Sequence, residues 1–184
     1  EVQAAFDAGI RFFGHNYVQE AQAMITGVNF KAKWHMIGHL QRNKARALDH
    51  FWLMHSLDSA RLADAVDEVG RRRARPVDAL VQVNVAGEAS KGGWAVSDLA
   101  REAERLAGCA GVRVAGVMTM APLDADEATL RRVFAGARAA RDVLCRAGHP
   151  AVELSMGMSG DFEVAVQEGA TMVRLGTVLF GERH

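Results

Sequence analysis

The chain has 184 residues, 49% of them hydrophobic, with 22 basic and 22 acidic side chains and a formal net charge of zero. That is enough apolar material for one sizeable core, so a single domain over 1–184 is expected. The balanced charge removes the electrostatic reason for a nucleic-acid or anionic-membrane partner. No apolar run is long enough to span a bilayer. The two cysteines, Cys109 and Cys145, stand far apart, which suits packing positions in a reducing cytoplasm rather than a disulfide framework.

Apolar spacing predicts an opening helix over Glu1–Ala8, ended by Gly9. A short strand over Ile10–Gly14 and a helix over Asn16–Met24 follow. Trp34–Gly38 reads as a strand, Gln41–His50 as a helix and Phe51–Leu57 as a strand. The long helix Ser59–Arg73 has Leu62, Val66 and Val69 as its buried stripe and Asp58 or Ser59 as its N-cap. The basic run Arg71–Arg75 suits the solvated carboxyl end of that helix. Asp78–Val85 is a strand, Ala95–Ala107 a helix and Val112–Met120 a strand. Asp124–Ala147 is a helix with Leu130, Val133, Phe134 and Ala137 on one face. Ala151–Met156 is a strand, Asp161–Glu168 a helix and Thr171–Gly176 the last strand.

Strands separated throughout by helices argue for a parallel sheet. The fold class expected is α/β, a (β/α)8 TIM-type barrel whose first strand is absent from this chain, because the alternation opens in a helix and shows seven strands. An open doubly wound sheet is the alternative. A barrel short of one strand is expected to have two unpaired edges and reduced thermal stability.

The chemistry-bearing residues gather at the ends of the last two strands. Met158-Ser159-Gly160 and Gly176-Thr177 are turns that free backbone N–H groups, and the loops after strands seven and eight of such barrels often hold phosphate. Ser159 also reads as a plain N-cap. Alternation along Met172–Gly176 places Arg174 on the face that leads into these turns. A guanidinium inside a barrel needs acceptors, either a buried carboxylate or the ring nitrogen of a pyridine-type cofactor. Together these residues suggest a phosphorylated aromatic cofactor. Asn16 ends the first visible strand, at the same rim, and also reads as an N-cap. His35 and His39 share a strand face but lack companions at zinc-ligand spacing, so no metal is expected. Gln82 and Asn84 are expected to hydrogen-bond inside the barrel, and Met118 and Met120 to pack. Asp49 and Glu88 show no acid/base pairing.

With these segments assembled, the chain resembles the pyridoxal-phosphate homeostasis protein family, also called the proline synthetase co-transcribed homologue family. The stretches that carry the resemblance are Phe13-Gly14-His15-Asn16-Tyr17-Val18-Gln19-Glu20, Trp34 through Lys44, Val81-Gln82-Val83-Asn84, Ser90-Lys91-Gly92-Gly93, Gly116-Val117-Met118-Thr119-Met120 and Leu154 through Arg183. The resemblance implies a barrel like the N-terminal domain of alanine racemase. It implies a cytoplasmic protein that binds pyridoxal 5′-phosphate and regulates its supply, without established catalytic turnover and with no protein partner named. By the same resemblance Ser159, Gly176 and Thr177 hold the phosphate, Arg174 faces the pyridine nitrogen and Asn16 lies beside the cofactor. Two departures stand out. His15 occupies a position that is acidic in the family, and none of Lys31, Lys33, Lys44 and Lys91 matches the family's cofactor lysine, so covalent attachment of the cofactor to this chain is not expected. The alternative is a racemase-like enzyme acting on amino acids with the same cofactor, for which Tyr17 is the one tyrosine available as a second base. A barrel enzyme acting on a phosphorylated sugar would need an acid/base pair at the strand ends.

Overall fold

A computed structural model describes residues 1–88 and 91–181. Ser90, Glu182 and Arg183, which belong to the stretches singled out above, lie outside the described residues. The chain opens in helix α1 (Val2–Asp7) and then alternates. Strand β1 (Phe12–His15) leads to α2 (Val18–Gly27), and β2 (Lys33–Met36) to a 3-10 segment over Arg42–His50. Next come β3 (Leu53–Leu57), α3 (Ala60–Arg72), β4 (Val77–Gln82) and α4 (Leu99–Ala107). The rest is β5 (Val112–Met118), α5 (Glu127–Arg146), β6 (Glu153–Met158), α6 (Phe162–Gln167), β7 (Met172–Arg174) and α7 (Thr177–Phe180).

The seven strands form one sheet in chain order, each parallel to the next, with β1 and β7 at its edges. The sheet curls into a nearly closed barrel. On a flat sheet β3 and β6 would stand about 14 Å apart, three strand spacings. Here His55 of β3 and Ser155 of β6 share a hydrogen bond of 2.8 Å across the interior. Parallel strands need crossovers, and the helices supply them on the outside.

Two apolar layers result. The larger one lies between strands and helices. In α3 it takes Leu62, Ala63, Val66 and Val69, a helical stripe that buries one side while Arg61 and Asp64 face solvent. In α5 it takes Leu130, Val133, Phe134, Ala137, Ala140 and Leu144. Helix α3 approaches the α4–β5 turn with no side chain between them: a Cβ at Gly70 would lie 1.9 Å from the Gly111 carbonyl oxygen. The smaller layer is inside the barrel, where Leu53, Leu80 and Met118 meet Ala115, Met120 and Met172.

Three expectations are corrected. The helix expected over Gln41–His50 winds as a 3-10 segment over Arg42–His50, with Gln41 as its N-cap and Ala45 and Leu48 buried. The α-helix expected from Ala95 begins at Leu99, preceded by a 3-10 turn over Val96–Asp98. Phe51 and Trp52 precede β3 rather than belonging to it. Cys109 packs half-buried as expected, whereas Cys145 is exposed; both are free thiols.

Candidate functional site

All strands point the same way, so the loops after them share one rim, the carboxyl end of the barrel. Each residue expected there is on it. Asn16 follows β1, Ser159 follows β6, and Gly176 and Thr177 follow β7. Asn16 is exposed and its side-chain amide makes no hydrogen bond among the described residues. It does not cap α2; Tyr17 is the N-cap, without a side-chain bond. The rim is tight at this point, since a Cβ on Gly38 would lie 2.2 Å from the Asn16 carbonyl oxygen.

Ser159 does not cap α6 either, whose N-cap is Asp161. Its hydroxyl instead accepts from the backbone N–H groups of Gly176, at 3.4 Å, and Val178, at 3.3 Å. The two turns that the sequence placed 17 residues apart are therefore joined, with a hydroxyl and the amides that open α7 converging on one corner. Both bonds are long, which leaves the amides available to a better acceptor. Asp161 closes the β6 turn by accepting from Met158 N–H at 2.5 Å.

Arg174 reaches inward from the end of β7. Its Nη1 donates to Ser155 Oγ at 2.6 Å and its Nη2 to the Thr119 carbonyl oxygen at 3.0 Å. Neither partner is a carboxylate, so the buried salt bridge is not what holds it. Burial brings this guanidinium down to about 10, against the pull of the Asp161 carboxylate, and it stays a cation at neutral pH. These bonds engage two of its five N–H donors.

Sequence reasoning missed what stands behind Arg174. Ser155 is fully buried and also bonds His55 Nδ1 at 2.8 Å. His55 Nε2 in turn meets His35 Nδ1 at 2.8 Å. Thus His35 pairs with His55 and not with His39, whose Nδ1 goes to Asp58 Oδ2 at 2.8 Å. Period-two reading of β3 and β6 puts His55 and Ser155 on the inward faces. That signal was available, but nothing local says that those faces meet.

The remaining polar expectations resolve locally. Gln82 and Asn84, expected to bond inside the barrel, donate to the loop after β4, at the Gly92, Glu88 and Lys91 carbonyls. Glu88 is paired with Lys91, and Asp49 with Arg72 and Arg73. Met118 is in the interior apolar layer. Of the lysines, Lys33 lies over the rings of Phe12 and Trp52 at the amino-terminal foot of the barrel, and Lys91 is held by Glu88 and the Ala121 carbonyl. Among the described residues no group of three metal-ligating side chains occurs, and no helix is long and apolar enough to cross a membrane. Two grooves, of about 300 and 230 Å³, lie elsewhere: between the 3-10 segment and α3, and at the barrel's foot.

The chain is similar to known proteins along nearly its whole length. The profile of the family described as alanine racemase, N-terminal domain, matches residues 1–184. A pyridoxal phosphate homeostasis protein of Aquifex aeolicus is 40% identical over 185 residues, covering 99% of this chain and 81% of the relative. One from Homo sapiens is 38% identical over 194 residues, covering 97% and 70%. Among solved structures, PipY of Synechococcus elongatus with PLP bound superposes with a TM-score of 0.88 at 40% identity, over 98% of this chain and 86% of that one. Alanine racemase of Corynebacterium glutamicum, at 17% identity and a TM-score of 0.74, covers 93% of this chain and 48% of its own and shares the fold.

Proposed function

The chain belongs to the pyridoxal phosphate homeostasis proteins, a branch of the alanine racemase N-terminal domain family, and from that premise we propose that it binds pyridoxal 5′-phosphate at the carboxyl rim and serves to hold and release that vitamin in the cytoplasm. The observation that carries the proposal is the convergence of Arg174 and the Ser159–Gly176 corner on one side of the rim. A permanent cation backed by a hydroxyl and a carbonyl, not by a carboxylate, keeps charge and donors for a ligand. The residues present fit the group. Ser159, the N–H groups at Gly176 and Val178, and Thr177 suit a phosphate. Arg174 suits an aromatic nitrogen, and the unpaired amide of Asn16 suits a ring substituent.

When bound, the vitamin supplies an aldehyde and an electron-accepting ring. Arg174 decides how much of that chemistry is used. It donates a hydrogen bond but does not surrender its proton, so a ring nitrogen opposite it remains unprotonated and a weak electron sink. This tempers carbanion chemistry; the reason for preferring a binding role to that of an amino-acid racemase is that the relatives are named for homeostasis of the cofactor and that Tyr17 is the one tyrosine in the sequence available as a second base.

The test is equilibrium dialysis of pyridoxal 5′-phosphate with the full chain and two variants. Ser159→Asp sets a carboxylate against the phosphate, and Arg174→Met removes the ring-facing cation. Each is expected to weaken binding at least about tenfold, the scale of one charge-assisted hydrogen bond. Inorganic phosphate is expected to compete for the native protein and for Arg174→Met, but not for Ser159→Asp. Unchanged affinity in both variants overturns the placement of the site. Sustained interconversion of L- and D-alanine by the vitamin-loaded protein overturns the binding-only role.

A further inference from the structure

The interior of the barrel contains a chain of hydrogen bonds that runs from its middle layer to the rim and can point in one direction only. Arg174 has no acceptor, so Ser155 Oγ must accept its N–H. The Ser155 hydroxyl is fully buried, and its proton has one acceptor among its bonded partners, His55 Nδ1. His55 therefore carries its own proton on Nε2 and gives it to His35 Nδ1. His35 must then carry its proton on Nε2. That nitrogen is buried and has no hydrogen-bond partner among the described residues. Its ring stacks on Trp52 at 5.3 Å and meets Phe12 edge-on. A buried, unspent donor carries the cost of its lost hydration, so the arrangement is kept despite a penalty.

We propose that His55 and His35 are positioning residues for Arg174: through Ser155 they form a one-way chain that aims the guanidinium at the ring of the bound vitamin and works only while both imidazoles are neutral. This rests on the reading above that Arg174 faces the ring. The physical reason is the hydroxyl in the middle. With His55 neutral, Ser155 accepts from Arg174 and donates to His55, and both bonds strengthen each other. A proton on His55 Nδ1 turns that acceptor into a donor. Ser155 Oγ then accepts from two cations, its own proton loses its partner, and Arg174 is pushed from its place. The barrel opposes that protonation. The charges acting on the imidazoles are Lys33 on His35, and His35 and Arg174 on His55, all of one sign, while Asp161 acts on Arg174. Burial holds both rings below their ordinary value.

Two measurements test this on the full chain. Long-range 1H–15N spectra of the vitamin-free protein at neutral pH are expected to show His35 and His55 both protonated at Nε2; protonation of either at Nδ1 overturns the proposal without reference to any ligand. The second compares pyridoxal 5′-phosphate binding at pH 7.5 in native protein, His55→Phe, His55→Gln and Arg174→Met, with folding followed by circular dichroism. Glutamine has an acceptor and a donor spaced much like the imidazole nitrogens, but it does not titrate. His55→Phe is expected to bind about tenfold more weakly, one hydrogen bond's worth. His55→Gln is expected to regain most of that loss. Inorganic phosphate, used as the second probe, is expected to bind all four alike. Equal vitamin binding by His55→Phe and native protein, with Arg174→Met still defective, overturns the positioning role and leaves the site standing. Full binding by Arg174→Met overturns the site and this proposal with it.

Discussion

Acidification from pH 6.5 to about 4 will remove about 3 kcal/mol of folding stability through His35 alone. In the unfolded chain the imidazole titrates at its ordinary value of 6.5, and in the fold burial, then the Lys33 charge, brings it down to about 4. The folded state therefore binds fewer protons than the unfolded state between those two values. Stability falls as pH falls there, by about 1.4 kcal/mol per pH unit for one such group. The contribution is intact above pH 6.5, is lost progressively through the window and changes no further below about 4. His55, displaced in the same direction, adds to the slope. Carboxylates held below their ordinary values, Glu168 by Arg138 and Arg131 and Asp126 by Thr129, come into play only at lower pH. Against a total stability of about 5–15 kcal/mol for a domain, the histidine loss is large. Urea unfolding at pH 7.5, 6.5, 5.5 and 4.5 reads it directly. His35→Phe is expected to flatten the curve by one proton, and a native curve without slope between pH 6.5 and 5 would contradict the buried, neutral pair.

Replacement of Phe134 by alanine will cost about 3–5 kcal/mol. Phe134 is completely buried, the largest side chain among the described residues to be so. It sits midway along α5, whose neighbours are β5, β6, α4 and α6. The helix is tight on its neighbours: a Cβ on Gly136 would stand 2.4 Å from Val85 Cγ1. Little of the cavity can therefore collapse, which puts the cost in the upper part of the range. In a chain of this length each kcal/mol shifts Tm by about 2–4 °C, so a fall of at least about 6 °C is expected. The urea midpoint should move with an unchanged m-value, because the surface exposed on unfolding is nearly the same. A loss under 1 kcal/mol would mean that α5 does not close the outer core.

The architecture was legible because its signals are local. Alternating strand and helix patterns placed seven parallel strands, and the observed order of the sheet is the order of the chain. The errors fall where local preference is weak. Arg42–His50 has charged and small residues with two buried anchors, and it winds as a 3-10 segment. Trp52 reads as strand from its neighbours but lies at the foot, against Phe12 and His35. For the site, turn chemistry and period two sufficed to put Asn16, Ser159, Arg174, Gly176 and Thr177 at one end of the barrel. They did not reveal that Ser159 accepts from Gly176 and Val178, since the cap reading of a serine before a helix is equally local.

The sequence by itself determined which residues face inward, which turns carry free amides and that one arginine lies inside the barrel. These follow from the fixed periods of strand and helix and from the conformations that glycine and serine permit. Only the tertiary structure decided what that arginine touches. Ser155 and His55 are 100 residues apart, and His35 is 20 residues before His55. Their contact exists because the sheet curls until β3 and β6 face each other across the interior, and no local rule states how far a sheet will curl.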